Sequence, residues 1–183
     1  MVRTPSLMVP LGTPAPPFEL PDADGRVVRL ADYAGRPLLV AFLCNHCPYV
    51  KHIADGFARA ARELAALGVG VVAVNSNDAG QYPEDSPEKM REEAARRGYA
   101  FPYLVDASQQ VARAYNAQCT PDLFLYDARH RLAYRGQFDA SRPGNGLPVT
   151  GEDLLRAARA VAAGRPVEGE QLPSLGCNIK WRA

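Results

Sequence analysis

The sequence predicts an α/β fold, a central mixed β-sheet flanked by helices, and three observations predict it. Leu38 to Leu43 and Val69 to Val74 are continuous apolar runs, the pattern of strands covered on both faces. Between them Val50, Ile53, Phe57, Ala60, Leu64 and Leu67 recur at spacings of three and four, one stripe of an amphipathic helix that Gly68 closes. Strand, helix and strand in that order make a βαβ unit, with parallel strands and a right-handed crossover. Further on, Leu123 to Tyr126 and Leu132 to Gln137 flank the turn Asp127 to Arg131, which adds an antiparallel pair.

The other elements follow from turn and cap chemistry. Pro5, Pro10, Pro14, Pro16 and Pro17 describe an extended strap, and Phe18 to Leu30 alternates apolar and polar residues around Asp22 to Gly25, which reads as a hairpin. The polar loop Asn75 to Asp85 ends in a helix start, with Asp85 or Ser86 as cap, Pro87 in the first turn and a stop at Gly98. Phe101 to Val105 is a short strand and Ser108 to Asn116 a short helix. A last helix opens at Thr150 or Gly151, is carried by Leu154, Leu155, Ala158 and Val161, and ends at Gly164. The chain, residues 1–183, is expected to be one domain, with an N-terminal strap and hairpin over 1–36 and a C-terminal tail over 165–183.

Composition excludes several classes of function. A net charge of +1 offers nothing to a polyanion, so nucleic acid is not an expected partner. No apolar stretch approaches the roughly 20 residues of a spanning helix, so no membrane is expected either. The first 18 residues lack a basic region followed by an apolar one, and a cytoplasmic location is expected. Four cysteines are too few for a disulfide scaffold in a reducing compartment, and are better read as reactive.

Two of them, Cys44 and Cys47, fall in the turn between the first strand and the helix of the βαβ unit. Two intervening residues let the sulfurs meet as a disulfide or part as thiols at little backbone cost. The helix behind them favours a thiolate at its N-terminus, and the thiolate is the nucleophile in disulfide exchange. Pro48 belongs at the first helical position, where its missing N–H costs nothing, and this places the cap at Cys47. A cap at Cys44 would instead put Pro48 where the first intrahelical bond is due. Cys47 is therefore expected to attack and Cys44 to be its disulfide partner, the reverse order being the alternative. His46 lies between the two and is expected to modulate them, as a nearby imidazolium does. Lys51 and His52 read as solvated helix residues, and His130, in a hairpin turn, as inert.

The hairpin, the βαβ unit with Cys44-Asn45-His46-Cys47-Pro48, the segment Cys119-Thr120-Pro121 before an apolar strand, and the ending Gly176-Cys177-Asn178 together resemble the thioredoxin-fold, peroxiredoxin-like family related to alkyl hydroperoxide reductase and thiol-specific antioxidant. The resemblance covers nearly the whole chain. It implies a cis-proline at Pro121, packed on the redox turn and presenting backbone to a bound peptide, with Cys119 and Thr120 beside it. It implies thiol–disulfide oxidoreductase activity, with protein or small-molecule thiols and disulfides as partners and no bound cofactor. Asn75, Asn77 and Arg142 become candidates for a substrate cleft.

The sequence also departs from these relatives. No Trp precedes Cys44, the buried strand acid of thioredoxins falls at Ala41, and counting from that strand position aligns Cys47 with the thioredoxin nucleophile. Peroxiredoxins place a proline seven residues, and Thr or Ser three residues, before the peroxide-reacting cysteine; here Val40 and Cys44 hold those positions. Reduction of hydroperoxides, with Arg135 or Arg142 as the activating cation, is the second reading. A redox sensor or metal-binding module is the third, and no metal is expected because Cys119 and Cys177 are solitary whereas structural zinc ligands come in close pairs. Cys177 is a candidate resolving thiol in a tail that must fold back to be ordered, with Ile179 and Trp181 as apolar anchors.

Overall fold

The computed structural model describes residues 3–182. In chain order its strands are β1 (Arg3–Pro5), β2 (Glu19–Pro21), β3 (Val27–Arg29), β4 (Leu38–Phe42), β5 (Gly70–Asn75), β6 (Tyr103–Val105), β7 (Cys119–Thr120), β8 (Asp122–Tyr126), β9 (Leu132–Arg135) and β10 (Leu175–Asn178). The helices are α1 (Pro48–Ala66), α2 (Pro87–Arg97), α3 (Gln110–Ala114) and α4 (Glu152–Ala162).

Five strands form the central sheet in the order β6-β5-β4-β8-β9. The first three run parallel, and β8 and β9 turn antiparallel, so the sheet is mixed as expected. Successive side chains of a strand point to opposite faces, and both faces here are covered. Leu39, Ala41, Val71, Ala73, Leu123 and Leu125 meet Phe57 and Leu64 of α1 and Leu154 and Ala158 of α4. Leu38, Val40, Phe42, Val72, Val74 and Phe124 meet the hairpin residues Phe18, Leu20 and Val28 and Val111, Ala112 and Tyr115 around α3. Burial on two faces is why β4 and β5 read as unbroken apolar runs rather than alternating ones.

The helix boundaries follow their caps. α2 begins at Ser86, whose hydroxyl accepts the Lys89 amide, and ends at Gly98 in the left-handed conformation. Asp85, the other expected cap, turns away to a different task. α1 has Cys47 as its N-cap and Pro48 at its first position.

The ends of the chain differ from the sequence reading. The sequence reads an extended strap and a folded-back tail and places no strand in either, yet β1, β10 and β7 form a second, three-stranded antiparallel sheet. β10 lies in the middle, with Cys177 opposite Arg3 on one side and Thr120 on the other. The short segment Leu-Gly-Cys-Asn carries no alternation to announce it as a strand; pairing partners far away in sequence supply what local pattern lacks.

Candidate redox active site

Three parts of the fold converge on the loop after β4. The first is the loop itself. Leu43 continues the β4 ladder by donating to the Val74 carbonyl, and the backbone leaves the sheet at Cys44. Asn45 and His46 are held from outside by Asp85: one carboxylate oxygen accepts the Asn45 amide at 2.7 Å, and the other takes His46 Nδ1 at 2.6 Å and Asn77 Nδ2 at 2.9 Å. Burial pushes the Asp85 carboxyl up, but the bonds from His46, Asn45 and Asn77 outweigh it and leave the pKa below the ordinary carboxylate value. The His46 ring stacks on Tyr82 with centroids 4.8 Å apart. Its Nε2 is buried without a hydrogen-bond partner among the described residues.

The second part is the turn between β7 and β8, where the Thr120–Pro121 peptide bond is cis. The Thr120 hydroxyl lies 3.1 Å from Cys44 Sγ, and the Thr120 carbonyl lies 3.2 Å from Cys47 Sγ, so one residue touches both sulfurs. Asp122, directly after the proline, accepts the Ser6 hydroxyl at 2.7 Å and the Gln118 amide at 2.9 Å and pairs with the fully buried Arg135. The third part is β10, which brings Cys177 Sγ to 2.8 Å from Cys47 Sγ.

These surroundings treat the cysteines differently. Cys47 lies at the N-terminus of α1 and its pKa is lowered, because the thiols of Cys177 and Cys44 and the backbone amides of Val50 and Cys177 hydrogen-bond to its sulfur. The Thr120 carbonyl is an acceptor and opposes a thiolate there, but the neighbouring thiols and amides outweigh it. Cys44 is raised, first by burial and then by its bond with Cys47 and the charge of Asp85. Cys177 is raised by holding its proton toward Cys47 and by burial. Cys119 is raised by burial and by Asp122; its sulfur contacts the Pro121 carbonyl at 3.5 Å rather than another cysteine.

The remaining candidates divide. Asn75 and Asn77 are buried and brace the loop instead of facing a cleft: Asn75 Oδ1 accepts the Asn77 amide at 3.0 Å, and Asn77 Oδ1 accepts the Lys180 amide at 2.8 Å. Arg142 donates to the carbonyls of Asp139 and Ser141 and to Gln137, beside a shallow cleft shared with Tyr49, His52 and Pro121. His52 is not simply solvated, since its Nε2 lies 2.6 Å from Ser141 Oγ. Sequence reasoning missed Asp85 as a site residue; 39 residues separate it from His46, and its only local signal was that of a helix cap.

Cys44 Sγ, a ring nitrogen of His46 and a carboxylate oxygen of Asp85 lie within 4.8 Å of one another, the one such grouping among the described residues. The Asp85 oxygens are already engaged by hydrogen bonds with Asn45, His46 and Asn77. A thiol and one imidazole nitrogen then remain, fewer than the three protein ligands of a catalytic zinc site. The set is better suited to holding and moving a proton.

A cysteine at the N-cap of a βαβ helix, faced by a cis-proline turn, makes this a thioredoxin-fold protein with a thiol site. The chain belongs to the AhpC/TSA family, whose model matches residues 11–135. It is 52% identical to an uncharacterised conserved protein from Geobacillus kaustophilus whose crystal structure superposes with a TM-score of 0.96, covering 100% of this chain and 97% of that one. It is 32% identical over 126 residues to the thiol-disulfide oxidoreductase ResA of Geobacillus kaustophilus, a match spanning 65% of this chain and 64% of the relative. It is 30% identical to peroxiredoxin Bcp of Escherichia coli K12 over 67% of this chain and 76% of the relative.

Proposed function

We propose that the chain is a thiol–disulfide oxidoreductase that exchanges electrons with protein or small-molecule thiols and disulfides, in the cytoplasm, through Cys44 and Cys47. The observation that carries this reading is the position of Cys47: N-cap of α1, beside Thr120 and cis-Pro121, with its pKa lowered by four donors while Cys44 stays a thiol. The likeness to ResA supports it.

In the reducing direction the Cys47 thiolate attacks one sulfur of the substrate disulfide. That bond breaks, the other substrate sulfur leaves and takes up a proton, and a mixed disulfide joins substrate to Cys47. Cys44 then gives up its proton and attacks Cys47 Sγ. The substrate's second sulfur departs as a thiol, and the two electrons gained by the substrate's pair of sulfurs are those lost in forming Cys44–Cys47. The His46 ring, oriented by Asp85 and close to the Cys44 sulfur, is the base at hand for that proton. Nothing in this cycle calls for a bound cofactor.

The peroxidase reading of Bcp needs a cation at the reacting sulfur. Arg135 is engaged through Nη1 with Asp122 and the Leu123 carbonyl and packs over the Phe124 ring, and Arg142 is engaged with Gln137 and two carbonyls. Their engagement favours disulfide exchange. The test is a mixed-disulfide trap with a disulfide-bonded peptide, run in a Cys177→Ser background because the Cys177 sulfur is close enough to release the trap. Adding Cys44→Ser should accumulate the adduct and adding Cys47→Ser should abolish it; the opposite pattern overturns the assignment.

A further inference from the structure

With β10 in place the three sulfurs are almost wholly covered: Cys47 is 0% exposed, Cys44 2% and Cys177 4%. A nucleophile sealed in this way must first meet whatever seals it. β10 lies on the backbone edge of β7 as an added peptide strand lies on a sheet edge, antiparallel, with Cys177 opposite Thr120 and Asn178 opposite Cys119. Opposed residues of an antiparallel pair share a face. Cys177 is therefore delivered to the side on which Thr120 already touches Cys44 and Cys47, and its sulfur comes within 2.8 Å of Cys47 Sγ.

The approach is shaped for this contact. A Cβ on Gly176 would lie 2.0 Å from the Thr120 carbonyl oxygen, so a side chain there would drive β10 off the edge. Beyond the strand, Ile179 donates to the Gln118 carbonyl at 3.1 Å and Lys180 to Asn77 Oδ1 at 2.8 Å, which fixes the register. On the other side β1 pairs with β10, and Ser6 donates to the Ser174 carbonyl at 2.9 Å.

We propose that β10 is a peptide substrate held in cis: Cys177 takes the disulfide from the Cys44/Cys47 pair, and the Cys47–Cys177 product closes the edge beside Pro121 to foreign strands. The proposal rests on Cys44 and Cys47 being the exchanging pair. Starting from the Cys44–Cys47 disulfide, the Cys177 thiolate attacks Cys47 Sγ. The Cys44–Cys47 bond breaks, the Cys47–Cys177 bond forms, and the proton given up by Cys177 ends on Cys44. No electrons enter or leave, so the step needs no further oxidant. A foreign peptide reaches Cys47 only after Cys47–Cys177 has been reduced and β10 has lifted.

Peptide mapping of the full chain tests this, after mild oxidation by a low-molecular-weight disulfide. Cys44 and Cys47 share one tryptic peptide and Cys177 lies in another, so the two disulfides are an internal loop and a cross-link. The cross-link should exceed the loop by about tenfold in the wild type. Cys44→Ser, which changes one atom, should give the cross-link alone. Gly176→Val, which leaves all four cysteines, should reverse the ratio. A wild type holding only the Cys44–Cys47 loop, with no cross-link in Cys44→Ser, overturns the proposal and leaves the exchanging pair intact. Absence of any disulfide at Cys47, in wild type and Gly176→Val alike, overturns the pair and the proposal together.

Discussion

The Cys44 end of the redox loop and its Cys47 end are built from different parts of the chain and treat sulfur in opposite ways. Around Cys44 the loop is gripped by side chains, Asp85 on Asn45 and His46, with Tyr103 donating to Asn45 Oδ1 at 3.1 Å; the carboxylate and the burial both disfavour a second negative charge. Around Cys47 the groups are the Val50 amide of the helix, two thiols and the Cys177 amide of β10, and together they favour charge against the opposing Thr120 carbonyl. Three residues of separation suffice because the backbone turns from strand to helix between them. On the proposed function the contrast would divide two jobs, a thiolate that attacks and a thiol held in reserve, and the division would come from tertiary context rather than from the cysteines themselves.

The largest effect that can break this contrast is removal of the charged sulfur. Cys47→Ser should lower disulfide exchange by about a thousandfold or more, the scale of a nucleophile deletion. Its thiolate absorbance at neutral pH should vanish, while Cys44→Ser should keep it. Thiolate absorbance lost in Cys44→Ser instead would reverse the assignment of roles.

Next in size is the support beneath Pro121. Arg135 and Asp122 are both fully buried, and Arg135 Nε and Nη2 have no hydrogen-bond partner among the described residues, although the guanidinium lies 3.8 Å over the Phe124 ring. Removing one partner of a buried pair strands the other. Arg135→Ala should destabilise the fold by about 3–5 kcal/mol in urea unfolding, whereas Arg135→Met together with Asp122→Leu should recover much of that loss. A loss below about 1 kcal/mol would show that the pair is not what holds the Cys47 side.

On the Cys44 side the corresponding change is Asp85→Asn, which weakens three hydrogen bonds to a charged acceptor and should cost about 1.5–3 kcal/mol. Its pH dependence has a definite sign. An acid whose folded pKa lies below its unfolded value binds fewer protons when folded, so its contribution is complete above about pH 4. It disappears as pH falls through the lowered folded value. The gap between wild type and Asp85→Asn in thermal stability should therefore be constant near neutrality and narrow in acid. A gap that widens in acid would mean that Asp85 is not held as the carboxylate.

What the sequence made legible follows from the range of the interactions involved. The apolar runs of β4 and β5, the stripe of α1, Ser86 with Gly98 around α2 and the Pro48 cap are decided within a few residues, and each lies where periodicity or cap chemistry places it. Asp85 and β10 are decided across the fold. The same carboxylate that reads locally as a helix cap is claimed by a loop 39 residues away, and a four-residue segment containing glycine becomes a central strand because two distant edges accept it. At the candidate site the residue types of the cysteine motif were readable, but what distinguishes the two sulfurs was readable only through Pro48 and the spacing from β4.

Pro48 therefore supports the smallest and most discriminating test of the comparison. At the first position of α1 it lacks no hydrogen bond, and its ring restricts the unfolded chain, so Pro48→Ala should cost only about 0.4–1 kcal/mol, through the unfolded state. Were the helix to begin at Cys44, Pro48 would stand inside it, and its replacement by alanine would instead stabilise the protein by up to about 3 kcal/mol. The two outcomes differ in sign, which urea unfolding of a single variant resolves. Because the backbone amide of Val50 stays in place in Pro48→Ala, the Cys47 thiolate should persist even as the fold loosens slightly. A variant that loses stability but keeps its thiolate locates the acidity in the helix terminus and the neighbouring thiols, not in the proline.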